Sequence, residues 1–351
     1  MPLVPAAELE RMVLAALTAG GAPAGEANIV ARSLVAANLA GHDSHGVLRL
    51  PQYLAALRAG SIVPGAAIEV VSETPATAVL DAHWGFGQVA ATRAAELAIA
   101  KAQECALAAV AVRRSTHVGR LADYVELVAA RGMVGMMFVN GHGGAHNTVP
   151  WGGAEARLCT NPLACALPTG GDPIVIDIST SAVAEGKVRT YRMRGAPVPD
   201  GWIVDNAGRP TNDPEALYAR PPGALLPLGG NVGYKGFALG LMVDLLAGAL
   251  SGAGCSGPHP ERGGNAFTIM VIDPRGFGGV EQFVAGADGL VAWVKSARPA
   301  SGFDEVIVPG EPERRESVRR REGIPIGDAL WAQLRAACPA DPATPEPPPC
   351  P

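Results

Sequence analysis

The spacing of hydrophobic residues predicts helices at both ends of the chain. Apolar positions recur every three or four residues over 7–39, which predicts two helices separated at Gly20-Gly21. The same spacing predicts a third helix over Gly46 to Arg58 and a last one over Ile326 to Ala337.

The middle of the chain has the pattern of a sheet with helices packed on it. An alanine-rich helix is predicted over Gln88 to Cys105, and another follows Gly119 and ends near Arg131. The segment from Asn140 to about Gly230 is rich in glycine and proline, which predicts a mostly antiparallel sheet with long loops. Short apolar runs predict these strands: Ala76 to Ala82, Ala108 to Val112, Val134 to Val139, Ile174 to Ile178 and Phe267 to Ile272.

Composition excludes several classes of protein. The 351 residues are 48% hydrophobic, enough for a large core, and the formal net charge of -5 gives no basis for nucleic-acid binding. Six scattered cysteines without a CxxC motif, and no basic leader, indicate a cytoplasmic protein. The apolar run from Phe237 to Ala253 is interrupted by Asp244, so we expect a buried helix and no membrane span.

The stretch Gly41-His-Asp-Ser-His-Gly-Val-Leu-Arg49 is the first candidate for chemistry. Asp43 or Ser44 could cap a helix, which would place His45 and Arg49 on one face. Arginine binds a carboxylate through two hydrogen bonds, and histidine titrates near neutral pH. A capped helix with surface charges is an equally good interpretation of these residues alone.

His117 is the second candidate, because it follows a buried strand and precedes a helix. The free N–H groups of that helix and the charge of Arg120 could bind an anion. A structural loop histidine is the alternative.

Two further patterns suggest other chemistries. Gly85-Phe-Gly-Gln-Val-Ala90 fits the dinucleotide motif GxGxxA, and Arg113-Arg114 could hold the phosphate of NADP, although bulky His83 and Trp84 precede the turn. The pairs His42/His45 and His142/His146 could bind zinc in a hydrolase, although the second pair lacks the glutamate of HExxH.

Taken in order, the motifs resemble the malate/L-lactate dehydrogenase family, whose members lack a Rossmann fold. The matching stretches span about residues 7–335 and include AANLAGHDSHGVLRLPQYL, STHVGR, TNPLACALP, IDISTS, YKGFAL and VPGEPERRESVRRREGIPI. Within the family, AANLAGHDSHG, FGQVAA and HVGR are most similar to the hydroxycarboxylate dehydrogenase B group.

The resemblance implies an α+β fold, in which a discontinuous helical domain is built from residues 1–70 and 285–337. A mostly antiparallel β-sheet domain, not a Rossmann domain, would bind the cofactor with residues 71–284. It would contain a small subdomain around 130–160, and we expect a disordered tail at 338–351.

The resemblance also implies roles for individual residues. His117 and His45 would be catalytic, one as the acid/base and one beside the nicotinamide, and Arg49 would bind the substrate carboxylate. Tyr234 stands where the family often has histidine. The implied cofactor contacts are His45, Gly119, Arg120, Leu121, Val175, Ile176, Asp177, Ile178, Ser179, Tyr234, Lys235, Asn265, Gly310, Glu311, Pro312 and Glu313.

We therefore expect a homodimeric NAD(P)-dependent oxidoreductase that interconverts a small 2-hydroxy acid and its 2-keto acid, with NAD as the cofactor and NADP as the alternative. Reduction of a cyclic imine carboxylate is an alternative on the same fold, and the zinc hydrolase is an alternative of another class.

Overall fold

The computed structural model describes residues 1–142, 146–258 and 262–338. The chain divides into two compact units: Met1–Gly65 together with the chain from Glu313 onward, and Ala66–Pro312. The boundary lies at 312/313, whereas the domain prediction placed it at 285. The predicted tail, apart from Cys338, lies outside the described residues.

The described residues form these α-helices: α1 Ala6–Ala19, α2 Ala24–Leu39, α3 Leu50–Arg58, α4 Gly87–Cys105, α5 Ala122–Ala129, α6 Glu185–Met193, α7 Tyr234–Asp244, α8 Val280–Lys295, α9 Glu311–Arg319 and α10 Asp328–Ala337. They form these strands: β1 Leu3–Val4, β2 Glu69–Glu73, β3 Thr77–Asp81, β4 Leu107–Ser115, β5 Val134–His142, β6 Leu163–Leu167, β7 Ile174–Ile178, β8 Ile203–Val204, β9 Pro210–Thr211, β10 Ala224–Leu225, β11 Gly264–Ile272 and β12 Ile324–Pro325.

The first unit joins the two ends of the chain. Strand β1 pairs antiparallel with β12, so Val4 faces Ile324 across the ladder. Helix α1 packs with α2, α3 and α10, and α3 also packs with α10; the buried side chains of α1 and α2 include Leu9, Leu17 and Leu34. The two helices predicted over 7–39 are confirmed.

The second unit is built on a seven-stranded sheet with the order β2-β3-β4-β11-β5-β6-β7. Its neighbouring strands are antiparallel, except that β3 and β4 are parallel and joined by α4. The α+β class is confirmed. A small second sheet, β10-β8-β9, packs with α6. The small subdomain was predicted around 130–160, but β5 within that range is an inner strand of the large sheet.

Both faces of the large sheet are covered. Alternate residues of β11, such as Phe267 and Ile269, pack with the alanine-rich face of α4 and with α5. Thr268 lies between them and so faces the other way. Its hydroxyl donates to the carbonyl of Leu246, 2.7 Å away, in the π-helical turn Leu245–Ala249 that continues α7. Helix α7 and this turn therefore cover the second face.

The apolar run that contains α7 was expected to form a buried helix, and this is only half correct. Gly240, Val243 and Asp244 are buried. Leu241 and Leu245 are 42% and 57% exposed in the single chain. Within the described residues, no helix is both long enough and apolar enough to cross a membrane, and no disulfide joins the cysteines.

Candidate active site

His45 and Arg49 lie on irregular backbone in the first unit. They end two short 3-10 turns, Asp43–His45 and Val47–Arg49, and helix α3 begins only at Leu50. The helix predicted over Gly46 to Arg58 is confirmed from Leu50 onward, but the residues before it form 3-10 turns, so His45 and Arg49 do not share a face of an α-helix. Neither turn has a side-chain cap from Asp43 or Ser44.

Asn38, at the end of α2, holds these turns in place. Its side-chain oxygen accepts from the Val47 N–H at 2.8 Å, and its amide nitrogen donates to Asp43 at 2.6 Å. A side chain on Gly46 would place its Cβ 2.2 Å from the Asn38 oxygen, so glycine is required here. Asn38 is buried.

The carboxylate of Asp43 binds Arg320 and does not cap a helix. The Arg320 guanidinium donates to both Asp43 oxygens, at 2.6 and 3.1 Å, and to the carbonyl of Asn38 at 2.6 Å. It also bonds Glu316. Hydrogen bonds from Arg319 and then Arg320 lower the pKa of Glu316 to about 2. A buried arginine therefore ties the segment after α2 to the C-terminal part of the chain.

Arg49 and His42 have close polar partners. The Arg49 Nε donates to the carbonyl of Ser44 at 2.7 Å, and its Nη1 donates to Gln52 at 2.9 Å. The His42 Nε2 lies 3.4 Å from the Glu313 carboxylate. The structure thus brings His42 beside Glu313, one of the implied cofactor residues.

His117 lies in the second unit, on the loop between β4 and α5. The preceding residue, Thr116, donates its hydroxyl to the carbonyl of Gly85 and accepts from the Gly87 N–H. The following residue, Val118, donates its N–H to Asn265 at 3.2 Å, and its carbonyl accepts from the Tyr124 hydroxyl at 2.5 Å. The backbone on both sides of His117 is therefore fixed.

The GxGxxA motif does begin the helix of a βαβ unit, but its second glycine serves another purpose. A Cβ on Gly87 would lie 2.4 Å from the Thr116 carbonyl oxygen and 2.5 Å from that of His117. In a dinucleotide site this glycine lets phosphate approach the backbone. Two carbonyl oxygens would repel a phosphate, so the motif here packs the His117 loop against α4.

Arg113 and Arg114, the candidate phosphate clamp, are engaged with Asp81 at the end of β3. The nearest contacts to this buried carboxylate are 2.9 Å from Arg113 and 2.7 Å from Arg114. Burial opposes ionisation of Asp81, but hydrogen bonds, first from Arg114, outweigh it and lower its pKa. The clamp interpretation gains no support, because both arginines bind the Asp81 carboxylate.

The predicted anion site before α5 is occupied as well. The N–H of Ala122 donates to Asp177 of β7 at 2.9 Å. Arg120 is buried and bonds Asp123 at 2.9 Å and Glu126 at 3.2 Å. Burial alone would lower the pKa of Arg120, but these carboxylates raise it.

Strand β7 brings together most of the segments that the resemblance assigns to the cofactor. Asp177 reaches the segment after Gly119 and Leu121, as described above. The Val175 N–H donates to the Pro309 carbonyl at 3.2 Å, next to Gly310. Just beyond β7, the Thr180 carbonyl accepts from the Leu228 N–H at 2.9 Å.

Leu228 in turn contacts the beginning of α7. A Cβ on Gly236 would lie 2.3 Å from the Leu228 carbonyl oxygen, so this glycine allows close contact. Tyr234 and Lys235, which precede Gly236, are exposed, and the Trp151 ring lies 6.2 Å from the Tyr234 ring.

The remaining implied cofactor residues have these surroundings. Ile176 and Ile178 lie on β7, Ser179 donates to the Ser181 carbonyl at 3.1 Å, and Pro312 lies in the first turn of α9. Glu311 contacts Lys295 and accepts from the Val308 N–H. The side chain of Asn265 bonds Val118 and Asn140.

The zinc hypothesis gains no support. Among residues 1–142, 146–258 and 262–338, no group of three or more His, Cys, Asp or Glu side chains is placed to hold a metal ion. The His42 Nε2 faces Glu313, and the His146 Nε2 accepts from the Gly257 N–H at 3.2 Å.

Comparison with known proteins identifies the family. The family model described as malate/L-lactate dehydrogenase matches residues 4–335. The chain belongs to this family. It is 37% identical over 338 residues to L-lactate dehydrogenase of Cupriavidus necator, with 95% of each chain covered. It is also 37% identical over 318 residues to hydroxycarboxylate dehydrogenase B of Escherichia coli, with 88% of this chain and 86% of that one covered.

A solved member of the family has the same fold. Sulfolactate dehydrogenase from Methanocaldococcus jannaschii superposes with a TM-score of 0.86 at 34% identity, and 96% of each chain is covered.

Sequence reasoning missed the polar residues that hold the two histidine segments. Asn38 and Arg320 lie within two of the matching stretches, but those stretches do not show which atoms the two side chains bond. Arg320 and its partner Asp43, for example, are 277 residues apart. Asn140 lies outside the quoted motifs. Asp244 was recognisable in the sequence as unusual, because it is a charged residue that interrupts an otherwise apolar run.

Proposed function

We propose that this protein is an NAD(P)-dependent dehydrogenase that interconverts a small 2-hydroxy acid and its 2-keto acid. The proposal rests on several loops that meet at strand β7 and the residues just after it. These are the segment after Gly119, the segment before Gly236 and the segment Pro309–Gly310. A polar ligand as long as a dinucleotide needs several loops at once to bind it. Membership of the family supports it.

We assign the proton transfer to His117. In the oxidising direction its imidazole accepts the hydroxyl proton, and in the reducing direction the protonated ring returns a proton to the oxygen. The bound nicotinamide supplies hydride transfer at the substrate carbon. The hydrogen bonds on both sides of His117 favour this role, since they fix the position from which the ring acts.

We assign the substrate carboxylate to Arg49 and an orienting role to His45. The planar guanidinium donates in parallel to two carboxylate oxygens. The turns that carry these residues are held by Asn38 and Arg320, which limits the number of orientations they sample.

We propose NAD as the preferred cofactor. A 2′-phosphate needs a cation nearby, and the arginines that the sequence offered for it, Arg113, Arg114 and Arg120, are bound to carboxylates. The kcat/KM with NADH should therefore exceed that with NADPH for the same keto acid. A preference for NADPH would overturn this assignment.

We also propose a homodimer. Helix α7 and the segment that continues it leave Leu241, Leu245 and Leu250 more than 40% exposed in the single chain, and a second copy would cover such a face. Light scattering should give about twice the chain mass of 35.8 kDa at micromolar concentration. A fully active monomer would contradict the proposal.

One experiment tests the central proposal. Nicotinamide absorbance is followed with a panel of 2-keto acids and a cyclic imine carboxylate, using wild type and His117→Asn. Wild type should reduce keto acids, and His117→Asn should lose on the order of 10² to 10⁴ in kcat while still binding NADH. Turnover of the imine alone would favour the imine reductase. Unchanged kcat in His117→Asn would remove this histidine from proton transfer.

A further inference from the structure

Asn265 lies at the beginning of β11, where three strands meet. It pairs with Ser115 of β4 on one side and with Gly141 of β5 on the other, and the ladder with β4 shifts register directly after it. The residue therefore lies beside the end of the strand that leads into the His117 loop.

Both polar atoms of the Asn265 side chain are bound to backbone. Its oxygen accepts from the Val118 N–H at 3.2 Å, and its nitrogen donates to the Asn140 carbonyl at 3.1 Å. The partners fix this orientation, because a backbone N–H only donates and a carbonyl only accepts. The amide thus bridges the His117 loop and strand β5.

The far end of this bridge is anchored in the core. The Asn140 side chain is buried and donates to Asp244 at 2.8 Å. Asp244, also buried, accepts from Asn161 at 3.1 Å and from the Ser256 N–H at 3.0 Å. Such a buried, hydrogen-bonded group is costly to displace, so the Asn140 backbone is a fixed reference point.

We propose that Asn265 is a positioning residue that holds the backbone of His117 through Val118. The inference rests on the proposed acid/base role of His117. Tyr124 holds the Val118 carbonyl and Thr116 holds the other side of the loop, so loss of Asn265 releases one specific anchor, the Val118 N–H.

The test compares Asn265→Ala, Asn265→Asp, His117→Asn and the double variant Asn265→Ala/His117→Asn. Asn212→Ala is the matched control, because it removes the same atoms from an exposed asparagine in the second unit. Steady-state kcat and KM are measured with a keto acid, and the Kd for NADH is measured by fluorescence titration.

Asn265→Ala should lower kcat on the order of 10- to 100-fold, because small displacements of a catalytic group are costly. Its Kd for NADH should change much less than its kcat, since the bond that is lost holds the His117 loop. Asn265→Asp should also be impaired: it keeps the acceptor for Val118 but sets a carboxylate oxygen against the Asn140 carbonyl. In the His117→Asn background, Asn265→Ala should cause no further loss of kcat.

Three results would overturn the inference: a Kd for NADH weakened tenfold or more, on the order of 1.4 kcal/mol; unchanged kcat in Asn265→Ala; or a further loss of kcat when it is added to His117→Asn. Retention of NADH binding shows that each variant is folded. The single His117→Asn variant reports separately on the proposed function, because wild-type kcat there refutes the acid/base assignment whatever Asn265 does.

Discussion

Replacement of Asp81 by asparagine tests whether an ion-pair cluster stabilises the second unit. The Asp81 carboxylate is 1% exposed and accepts from Arg113, from Arg114 and from the His83 N–H. His83, Trp84 and Arg114 adopt left-handed backbone angles, with φ of 45°, 65° and 51°. Such conformations cost free energy and persist only where neighbouring contacts impose them.

The expected loss follows from these contacts. Removing one partner of a buried ion pair costs about 3–5 kcal/mol. The side chains of Arg113 and Arg114 are 33% and 43% exposed, so water can hydrate them when the carboxylate is removed. This hydration reduces the loss of stability. Asparagine also keeps one acceptor. We therefore expect Asp81→Asn to lower the free energy of unfolding by about 2–4 kcal/mol at neutral pH.

The effect should depend on pH in a defined direction. The folded-state pKa of Asp81 is lowered, so its stabilisation is complete above the unfolded-state pKa of about 3.9. It is lost as the pH falls from that value through the folded-state pKa. The difference between wild type and Asp81→Asn should therefore be constant near neutrality and shrink in acid.

Urea unfolding, followed by circular dichroism from neutral to acidic pH, measures this difference. Glu155→Gln is the matched control, because Glu155 pairs with Arg157 and both side chains are more than 60% exposed. This substitution should cost less than about 1 kcal/mol. An Asp81→Asn loss no larger than that of the control, or a difference that grows in acid, would refute the reasoning.

Substitutions at three more positions have definite expected results. Gly87→Ala should lower kcat and cost about 1–3 kcal/mol, because its Cβ collides with the backbone of His117; normal kcat and urea midpoint would contradict the packing role. Arg320→Lys should raise KM for the keto acid and cost about 2 kcal/mol, since an ammonium cannot replace the guanidinium fork on Asp43; wild-type kinetics would exclude this link. Arg49→Ala should raise KM strongly, and Arg49→Lys should restore it only in part; an unchanged KM would remove Arg49 from the substrate.

Much of the fold was predictable because burial imposes periodicity. The strands at Thr77–Asp81 and Ile174–Ile178 lie within one residue of their predicted bounds, since each carries a short apolar run. Helix α8 was missed although its apolar residues, such as Phe283, Ala287 and Val291, recur at helical spacing; none of its residues is buried in the single chain.

Local motifs were less informative about which atoms meet. Gly85 to Ala90 has the spacing of a phosphate loop and the strand–helix–strand context as well. The decisive fact is that Thr116 and His117 contact Gly87 from 29 and 30 residues away. Spacing within a motif carries no information about what packs against it.

The two histidine segments share one physical problem and one solution. Each histidine lies near a backbone N–H, that of Val47 or of Val118, which donates to the side chain of an asparagine. Asn38 accepts from Val47 and donates to Asp43, while Asn265 accepts from Val118 and donates to Asn140. Asparagine suits this task because one planar group carries an acceptor and a donor, whereas aspartate offers only acceptors. The paired residues are 9 and 147 positions apart, so hydrophobic periodicity does not reveal them. We therefore expect the position of each imidazole ring to depend on an asparagine that touches no substrate.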